Sequence, residues 1–445
     1  MRVDEFEDLG FFWLPDDPKA RKRVPGVLRA STQGAVTLET FGLADGEPNS
    51  LASDLTLRDG EATRKILGVT RERGFVTLEG CLRTGSSHQS QMRGAVFNSA
   101  TYRATWLFVG VASESQESMR LSRVRFDVEG LDEWLALSGI QVDADVMQGK
   151  ATITFQRPAT IDLHDLVDGE SGKIEFGYTI PSAWEETKEA RVAQHAYVEL
   201  STVGWWTADQ ATRRVMWFRD VLRLAIDQSV AVTGLTGYSR DVTEPAFGGG
   251  ERESEIQIIY EEVDQGKAER NFLGPLMLFQ RSDMNDSLHE CLARWFKMYS
   301  EHYQPFRLYF SAVDSSRDLT LDEKFRQLTE AVETLDKALH GEARKDFNWR
   351  VQRLVEPFVD HLELDSSAEQ FGQAVARTRN AKVHHLPIGG DDVAVGRELL
   401  RLTYRCELLL ICHFVAVVTG SYTSAIEMIE DKEAIAKRQR VIGDR

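Results

Sequence analysis

The sequence contains little cysteine, and what it has is scattered. Four cysteines occur in 445 residues, and no two of them form a Cys-x-x-Cys pair. Because a thiolate zinc site needs closely spaced cysteines, we expect no such zinc site. Scattered single cysteines are typical of a reducing compartment, so we expect a cytoplasmic protein without disulfides.

Long apolar runs are also missing. The N-terminus, MRVDEFEDLG, is acidic and lacks the apolar core of a signal peptide. The longest apolar run is Leu408–Val418, and His413 interrupts it. This run is shorter than the roughly 17–25 apolar residues that span a bilayer. We therefore expect no membrane partner, and we interpret the run as a buried helix in which His413 is a hydrogen-bonded core residue.

Positive charge is outnumbered: 70 Asp and Glu residues exceed 53 Lys and Arg residues, and the formal net charge is −17. Such an acidic chain argues against a broad basic surface that coats nucleic acid without specificity. Any chemistry on nucleic acid must therefore use a local basic pocket.

The first part of the chain has the pattern of β-structure. Short segments of alternating apolar and polar residues are separated by glycine and polar clusters, which is typical of an antiparallel sandwich or barrel. A helical segment near 208–230 and a strand at 256–260 follow. We predict a β-rich N-terminal domain over residues 1–270, an antiparallel and sandwich-like one. The alternating segments are residues 34–42, 74–82, 101–110, 123–128, 151–155, 173–179 and 195–202.

Residues 271–445 have a helical period, so the predicted class is α+β with a C-terminal helical bundle. The first helix of this part is expected to end at Pro305. Capping boxes at Thr320/Glu323 and Ser366/Glu369 predict the starts of two more helices. A helix carrying residues 347–362 lies between them, a long helix follows over 393–418, and another begins near 423.

One short segment reverses the acidic character of the chain. Between Phe371 and Leu386 there are three cations, Arg377, Arg379 and Lys382, and no carboxylate. Pro387 is expected to end this helix. The histidines His384 and His385 then lie in the last turn, where the helix dipole favours an imidazolium.

These residue types suit the cleavage of RNA without a metal or other cofactor. Histidine can take the proton of the 2′-hydroxyl or protonate the leaving 5′-oxygen near neutral pH. Arginine can donate to two oxygens of the phosphorane, so Arg379 and His384 are the predicted catalytic pair. Asn380 precedes His384 by four residues and shares its helix face, where it can orient the ring or bind a phosphate oxygen. The expected product is a 2′,3′-cyclic phosphate.

The helix geometry raises a difficulty for a site within one chain. At about 100° per residue, Arg379 and His384 lie roughly 140° apart around an ideal helix. Two copies of the helix meeting at a twofold axis would bring the two residue types together better. We therefore predict a homodimer, or a higher homo-oligomer, with a shared site.

Each assignment has a structural alternative. His384 alone could be a surface histidine, and His385 is interpreted as its neighbour. Arg377, Lys382 and His385 are candidates for binding RNA phosphates, although a solvated helix face explains them equally well. Acidic residues of an earlier helix, Glu333 and Asp336, could orient an arginine or histidine; ordinary surface charge is the preferred interpretation.

Arg379-Asn380-Ala381-Lys382-Val383-His384 resembles the Arg-Asn-x-x-x-His signature of HEPN ribonucleases, and the preceding helical hairpins fit that bundle. The N-terminal half resembles the N-terminal domain of ApeA-type proteins. The resembling stretches are Phe12–Pro15, Pro25–Leu28, the strand Val36–Gly42 and the segment around Trp134.

The resemblance implies bacterial antiphage defence by abortive infection, in which a restrained nuclease cuts cellular RNA. It places Arg379 and His384 at the catalytic positions and Asn380 at an accessory position. tRNA is the expected substrate class, the β-rich domain a sensor or regulator, and a phage protein its expected trigger. Two alternatives stay open: a catalytically inactive HEPN adaptor that binds RNA or protein, and a HEPN component of a toxin–antitoxin pair.

Overall fold

The computed structural model divides into two compact units, formed by residues 1–129, 197–215 and 231–265 and by residues 130–196, 216–230 and 266–445. The structure describes residues 1–15, 23–43, 64–90, 96–115, 117–180, 191–246, 249–262, 272–284, 286–314, 318–341, 346–362, 367–383 and 393–443.

Strands dominate the first half of the chain and helices the second. The strands are β1 (Phe6–Trp13), β2 (Val24–Ala30), β3 (Val36–Leu43), β4 (Arg64–Thr70), β5 (Gly74–Ser90), β6 (Val96–Ala104), β7 (Trp106–Val109), β8 (Leu121–Val128), β9 (Ile140–Asp145), β10 (Lys150–Phe155), β11 (Ile161–Leu163), β12 (Ser171–Thr179), β13 (Ala193–Trp206), β14 (Val232–Tyr238), β15 (Thr243–Pro245), β16 (Glu251–Glu253) and β17 (Ile256–Tyr260). The α-helices are α1 (Leu131–Leu135), α2 (Ala208–Ile226), α3 (Leu288–Glu301), α4 (Tyr303–Val313), α5 (Leu321–His340), α6 (Phe347–Val355), α7 (Ala368–Val383), α8 (Gly396–Thr419), α9 (Tyr422–Ile429) and α10 (Glu433–Gly443).

In the first unit, six strands close into an antiparallel barrel in the order β1-β2-β3-β6-β5-β4. The fully buried ring of Phe12 lies against Gly26 on β2 and Gly68 on β4. A Cβ at position 68 would lie 2.5 Å from that ring, so a larger residue would displace it. Strands β7, β17, β14 and β8 extend the sheet from β5.

The predicted α+β class is confirmed: a β-rich, antiparallel N-terminal region precedes a helical C-terminal region. Each alternating segment predicted from the sequence overlaps an observed strand. The first unit forms a barrel, the alternative to the sandwich-like arrangement. Of the six barrel strands, β1, β2 and β4 were not predicted. The clearest reason lies in β2, where Pro25 and Gly26 interrupt the alternating pattern.

In the second unit, aromatic rings fill the core between helices. The Phe306 ring of α4 stacks on Tyr299 of α3 at 4.3 Å and on Phe414 of α8 at 4.7 Å, measured between centroids. Trp295 of α3 packs its edge on Phe306 at 4.8 Å. Its indole Nε1 donates to the carbonyl of Trp217 at 2.8 Å, so the polar atom of this buried ring is paired.

The predicted start of α5 is confirmed. The backbone N–H of Thr320 donates to Glu323 Oε2 at 2.9 Å, and the N–H of Glu323 donates back to Thr320 Oγ1 at 3.3 Å. The backbone and side-chain hydrogen bonds from Thr320 lower the pKa of Glu323 from its ordinary value. The helix ends before Gly341, whose φ of 81° lies in the left-handed region that favours glycine.

Two predicted helix boundaries were wrong or displaced. Pro305 does not end a helix: α3 ends at Glu301, and Pro305 lies in the first turn of α4, where a missing N–H costs nothing. The predicted cap residue Ser366 lies outside the described residues. The observed box before α7 pairs the N–H of Ser367 with Gln370 Oε1 at 3.1 Å and the N–H of Gln370 with Ser367 Oγ at 3.3 Å.

Helix α8 contains the apolar run that the sequence analysis assigned to the core. It is long and apolar enough to cross a membrane by length and composition, but 78% of its most apolar window is buried inside the protein. His413 on this helix is 2% exposed, and its Nε2 lies 2.9 Å from the Leu354 carbonyl. The expected buried helix and its hydrogen-bonded histidine are both present.

Candidate active site on helix α7

Helix α7 carries the described residues of the predicted motif, with Arg379 half-buried at the edge of the core face and Asn380 exposed. Phe371, Val375 and Thr378 are buried at i, i+4 and i+7. Thr378 Oγ1 accepts the backbone N–H of Ala394 at 3.2 Å. At Gly372, a Cβ would lie 2.6 Å from the Asn348 carbonyl oxygen, so only glycine allows this approach to α6. These contacts fix the position and rotation of the helix.

Arg379 is held by two neighbours. Its Nη2 donates to Glu333 Oε2 of α5 at 2.6 Å, and its guanidinium carbon lies 4.5 Å from the centre of the Phe347 ring of α6. Glu333 also pairs with Lys337 at 3.0 Å. The side chains of Arg379 and Glu333 are 25% and 23% exposed, so solvent and ligands still reach the pair. The arginine is therefore oriented without being buried.

The other described residues of the motif lie around Arg379 and differ in exposure. Arg377 and Asn380 are exposed, three residues apart on one helix face. Lys382 donates to Asp322 of α5 at 2.8 Å, and its side chain is only 10% exposed. Lys382 thus connects α7 with α5, which weakens its candidacy as a phosphate-binding residue and leaves Arg377 as the more accessible cation.

The preferred interpretation of Asp336 as surface charge was wrong. Its side chain is fully buried and accepts from Arg350 Nη1 at 2.8 Å and from Arg353 Nη2 at 2.7 Å, both on α6. His340 Nδ1 lies 3.2 Å from the same carboxylate. Asp336 holds α5 to α6.

Desolvation lowers the pKa of nearby His413 to about 4. The hydrogen bond with the Leu354 carbonyl opposes that shift, and the charge of His340 adds to it.

The structure brings Arg379, Asn380 and Arg377 to one end of α7, with Lys382 turned toward α5. His384, His385 and Pro387 lie outside the described residues, so the predicted pairing of Arg379 with His384 stays a prediction. Two residues that contact Arg379, Glu333 and Phe347, were not assigned to the site from the sequence. Glu333 had been considered but assigned to the surface, and Phe347 had been placed only within the predicted helix over residues 347–362.

Two family models match the chain, and together they cover most of it. ApeA N-terminal domain 1 matches residues 7–295, and Apea-like HEPN matches residues 299–423. The second match contains α7 and its contacts from α5 and α6. No curated protein and no solved structure is significantly similar to the chain. The domain boundary predicted near residue 270 stays a prediction.

Proposed function

Because the chain belongs to the family with an ApeA N-terminal domain and an Apea-like HEPN domain, we propose that it is a metal-independent endoribonuclease. We further propose that it acts in antiphage defence by abortive infection in the bacterial cytoplasm. The observation that carries the proposal is Arg379, an accessible guanidinium oriented by Glu333 and Phe347 beside exposed Asn380.

In this proposal, the 2′-hydroxyl of RNA attacks the adjacent phosphorus and the 5′-oxygen leaves. His384 carries one of the two proton transfers, because an imidazole exchanges protons near neutral pH. Arg379 donates to the phosphorane oxygens, where negative charge increases. Asn380 binds a phosphate oxygen or orients the histidine. The products are a 2′,3′-cyclic phosphate and a free 5′-hydroxyl.

Glu333 is proposed as a positioning residue for Arg379. A guanidinium has five N–H donors, and the 2.6 Å bond to Glu333 uses one side of the group. The Phe347 ring covers one of its faces. The remaining donors can bind a phosphate in a fixed orientation, which reduces the entropy lost when RNA binds.

The site is proposed to be shared between two copies of the chain. Arg379 and His384 lie roughly 140° apart around an ideal helix, which favours a histidine supplied by a second α7 over one from the same helix. The ApeA N-terminal domain would then act as the sensor or regulator, with a phage protein as trigger. Cellular RNA, tRNA among it, is the proposed substrate.

The proposal is tested by incubating the purified full-length chain with tRNA in excess EDTA. Cleavage that leaves 2′,3′-cyclic phosphate ends, and that is lost in His384→Ala, is the expected result. The double substitution Lys437→Ala and Arg440→Ala alters exposed cations of α10 and serves as a control for changes in charge. Cleavage that disappears with EDTA, or persists in both His384→Ala and Arg379→Ala, would contradict the proposal.

The shared site has its own test, in which two inactive variants are mixed. When Arg379→Ala and His384→Ala chains exchange subunits, a shared site places one intact pair in each mixed dimer. Random mixing should restore about a quarter of wild-type cleavage. A mixture as inactive as its components would place both residues of a working site in one chain.

A second candidate function is an inactive adaptor that binds RNA or protein through the same helix. One observation favours it: Glu333 neutralises charge on Arg379 and competes with phosphate for its donors. Uncut RNA under every condition, together with RNA binding measured by fluorescence anisotropy, would support the adaptor over the enzyme.

A further inference from the structure

Strand β13 of the first unit contains a bulge that turns apolar side chains into solvent. Between the paired positions at Ser201 and Trp206, four residues of β13 lie opposite a single residue of β8. Within this bulge, Val203 and Trp205 are 83% and 53% exposed. Bulges re-aim side chains and are frequent beside functional sites, and tryptophan is enriched among the residues that dominate protein interfaces. The bulge is therefore a candidate contact for a partner.

Two arginines hold the bulge in this conformation. Arg240 donates from Nη1 to the Val203 carbonyl at 3.2 Å and from Nη2 to the Thr202 carbonyl at 3.4 Å. The guanidinium carbon of Arg120 lies 4.9 Å from the centre of the Trp205 ring, a distance at which a cation and an aromatic ring attract each other. The indole is thus held in place before a partner arrives, which reduces the entropy lost on binding.

A cavity of about 680 Å³ lies beside the bulge, and Arg120 belongs to both. Its walls come from the segment between β7 and β8 and from the segment that follows β14. Buried Val111 and Met119 supply apolar surface to the cavity. Three carboxylates line it as well, those of Glu114, Glu117 and Asp241.

The segment between β7 and β8 is fixed to the sheet by buried charged residues. Lys65 Nζ donates to the Ser115 carbonyl at 2.8 Å and pairs with Glu79 at 3.0 Å. Glu79 in turn accepts the backbone N–H of Met119 at 2.8 Å. Lys65 and Glu79 are both buried, and a buried ion pair is costly to break. The cavity wall is therefore preformed, although the segment has no regular secondary structure.

The charges of the cavity indicate the chemistry of its ligand. Among the described residues that line it, Arg120 is the one cation, and it already pairs with Glu117 and lies against Trp205. The carboxylates of Glu114 and Asp241 therefore leave the cavity negatively charged. A negative cavity attracts a basic group and disfavours the phosphates of a nucleic acid. A basic side chain in the cavity, with an apolar neighbour on the exposed indole, matches both parts of the surface.

We propose that the bulge and the cavity together bind a segment of another protein in which a lysine or arginine lies next to an apolar residue. The basic side chain enters the cavity toward Glu114 and Asp241, and the apolar residue packs on Trp205 and Val203. The biological role of this contact rests on the proposed sensor function of the ApeA N-terminal domain. It specifies the chemistry that the trigger must present.

The test begins with selection from a random library of displayed dodecapeptides on the immobilised full-length chain. We expect the enriched peptides to share a lysine or arginine next to an apolar residue. A labelled synthetic peptide of the enriched sequence should bind in the micromolar range when measured by fluorescence anisotropy. A selection that gives no common sequence, or an acidic one, would overturn the inference.

Variants at the bulge locate the apolar half of the contact. Trp205→Ala should weaken binding of that peptide about thirtyfold, because it removes the central aromatic side chain. Tyr178→Ala, at a similarly exposed aromatic residue of β12, is the matched control and should bind as the wild type does. Thermal unfolding checks the fold of both variants. If Trp205→Ala does not fold, Val203→Lys replaces it and should weaken binding by a similar factor, since it adds a repelling cation.

Variants in the cavity locate the basic half of the contact. The double substitution Glu114→Gln and Asp241→Asn should weaken peptide binding about tenfold and make it less sensitive to salt. The double substitution Glu427→Gln and Glu430→Gln removes two exposed carboxylates at the end of α9 and should change neither quantity. Binding that is unchanged in Trp205→Ala or in the cavity variant would place the peptide elsewhere and refute the inference.

Other occupants of this surface would give different results. An oligomer that dissociates in Trp205→Ala, measured by sedimentation velocity, would show that a second copy covers the bulge. Labelled oligo(dT) that binds the wild type but not Trp205→Ala would show a nucleic-acid surface. Either result would count against a protein segment as the ligand. Because the peptide assay does not use RNA cleavage, a wild type that fails to cut RNA would refute the proposed nuclease while the peptide assay still decides this inference.

Discussion

Glu333 and Asp336 lie three residues apart on α5 and both bind arginines, but they differ in exposure. The carboxylate of Asp336 is fully buried and holds Arg350 and Arg353 of α6. Glu333 is 23% exposed and holds Arg379, itself 25% exposed. A buried ion pair holds helices together and costs much to break, whereas a partly exposed pair contributes little stability. The exposed pair is therefore the one available for chemistry.

The largest expected effect distinguishes two arginines on α7. Arg379→Ala should reduce RNA cleavage about a thousandfold, because it removes the cation proposed to bind the phosphorane. Arg377→Ala, on the exposed face nearby, should reduce cleavage about threefold or less. Single-turnover rates and thermal unfolding of both variants are the measurements. Equal losses in both would mean that the segment acts only through its total positive charge.

The buried carboxylate should affect stability. Asp336→Asn should lower the free energy of unfolding by about 3–5 kcal/mol, since it leaves two arginines without their buried partner. Asp322→Asn, on the same helix, alters a carboxylate that is 60% exposed in its pair with Lys382; it is the matched control and should cost under about 1 kcal/mol. Urea unfolding measures both. If the two variants unfold alike, exposure does not explain the difference between these ion pairs.

The burial of a titratable ring predicts that the stability of the protein depends on pH through His413. Burial lowers the pKa of His413 to about 4, so the folded state disfavours the imidazolium. Its stabilising contribution is complete above the unfolded pKa of about 6.5 and is lost as the pH falls toward 4, by about 3 kcal/mol. His413→Gln should lack this part of the acid destabilisation. His340→Gln, at a partly exposed histidine, should retain it when urea midpoints are compared at pH 7 and pH 4.

The smallest expected effect concerns Glu333. Glu333→Gln should slow RNA cleavage about tenfold, because Arg379 loses its orienting charge while its own donors stay intact. Stability should change by less than about 1 kcal/mol. Glu330→Gln, one turn earlier and exposed, should change neither quantity. Faster cleavage in Glu333→Gln would instead show that Glu333 restrains Arg379.

The sequence predicted much of the helical region because local signals marked it. The capping box at Thr320 and Glu323 and the apolar period that follows it were enough to place α5. Helix α4 was missed because Pro305 was interpreted as a stop, although proline is equally compatible with a first turn. Strand β2 was missed because Pro25 and Gly26 break the alternation. Its place in the barrel comes from pairing with β1 and β3.

Only the part of the candidate site formed by residues close together in the sequence could be predicted. The motif on α7 was visible because its residues lie close together in sequence. The Glu333–Arg379 contact joins residues 46 positions apart, and nothing in the spacing indicates it. The burial of Asp336 depends on arginines 14 and 17 positions away. Pairing at such distances depends on how helices pack, which a pattern of residue types in one chain does not determine.

The close contact at Gly372 limits how this protein can diverge. The residue lies nearly two helical turns before Arg379, yet its missing side chain is what lets α7 rest against the backbone of α6. Even alanine there would push the two helices apart and carry the guanidinium away from Phe347 and Glu333. A chain could thus keep every residue of the α7 motif and still lose the alignment of Arg379 with Phe347 and Glu333 through one added methyl group.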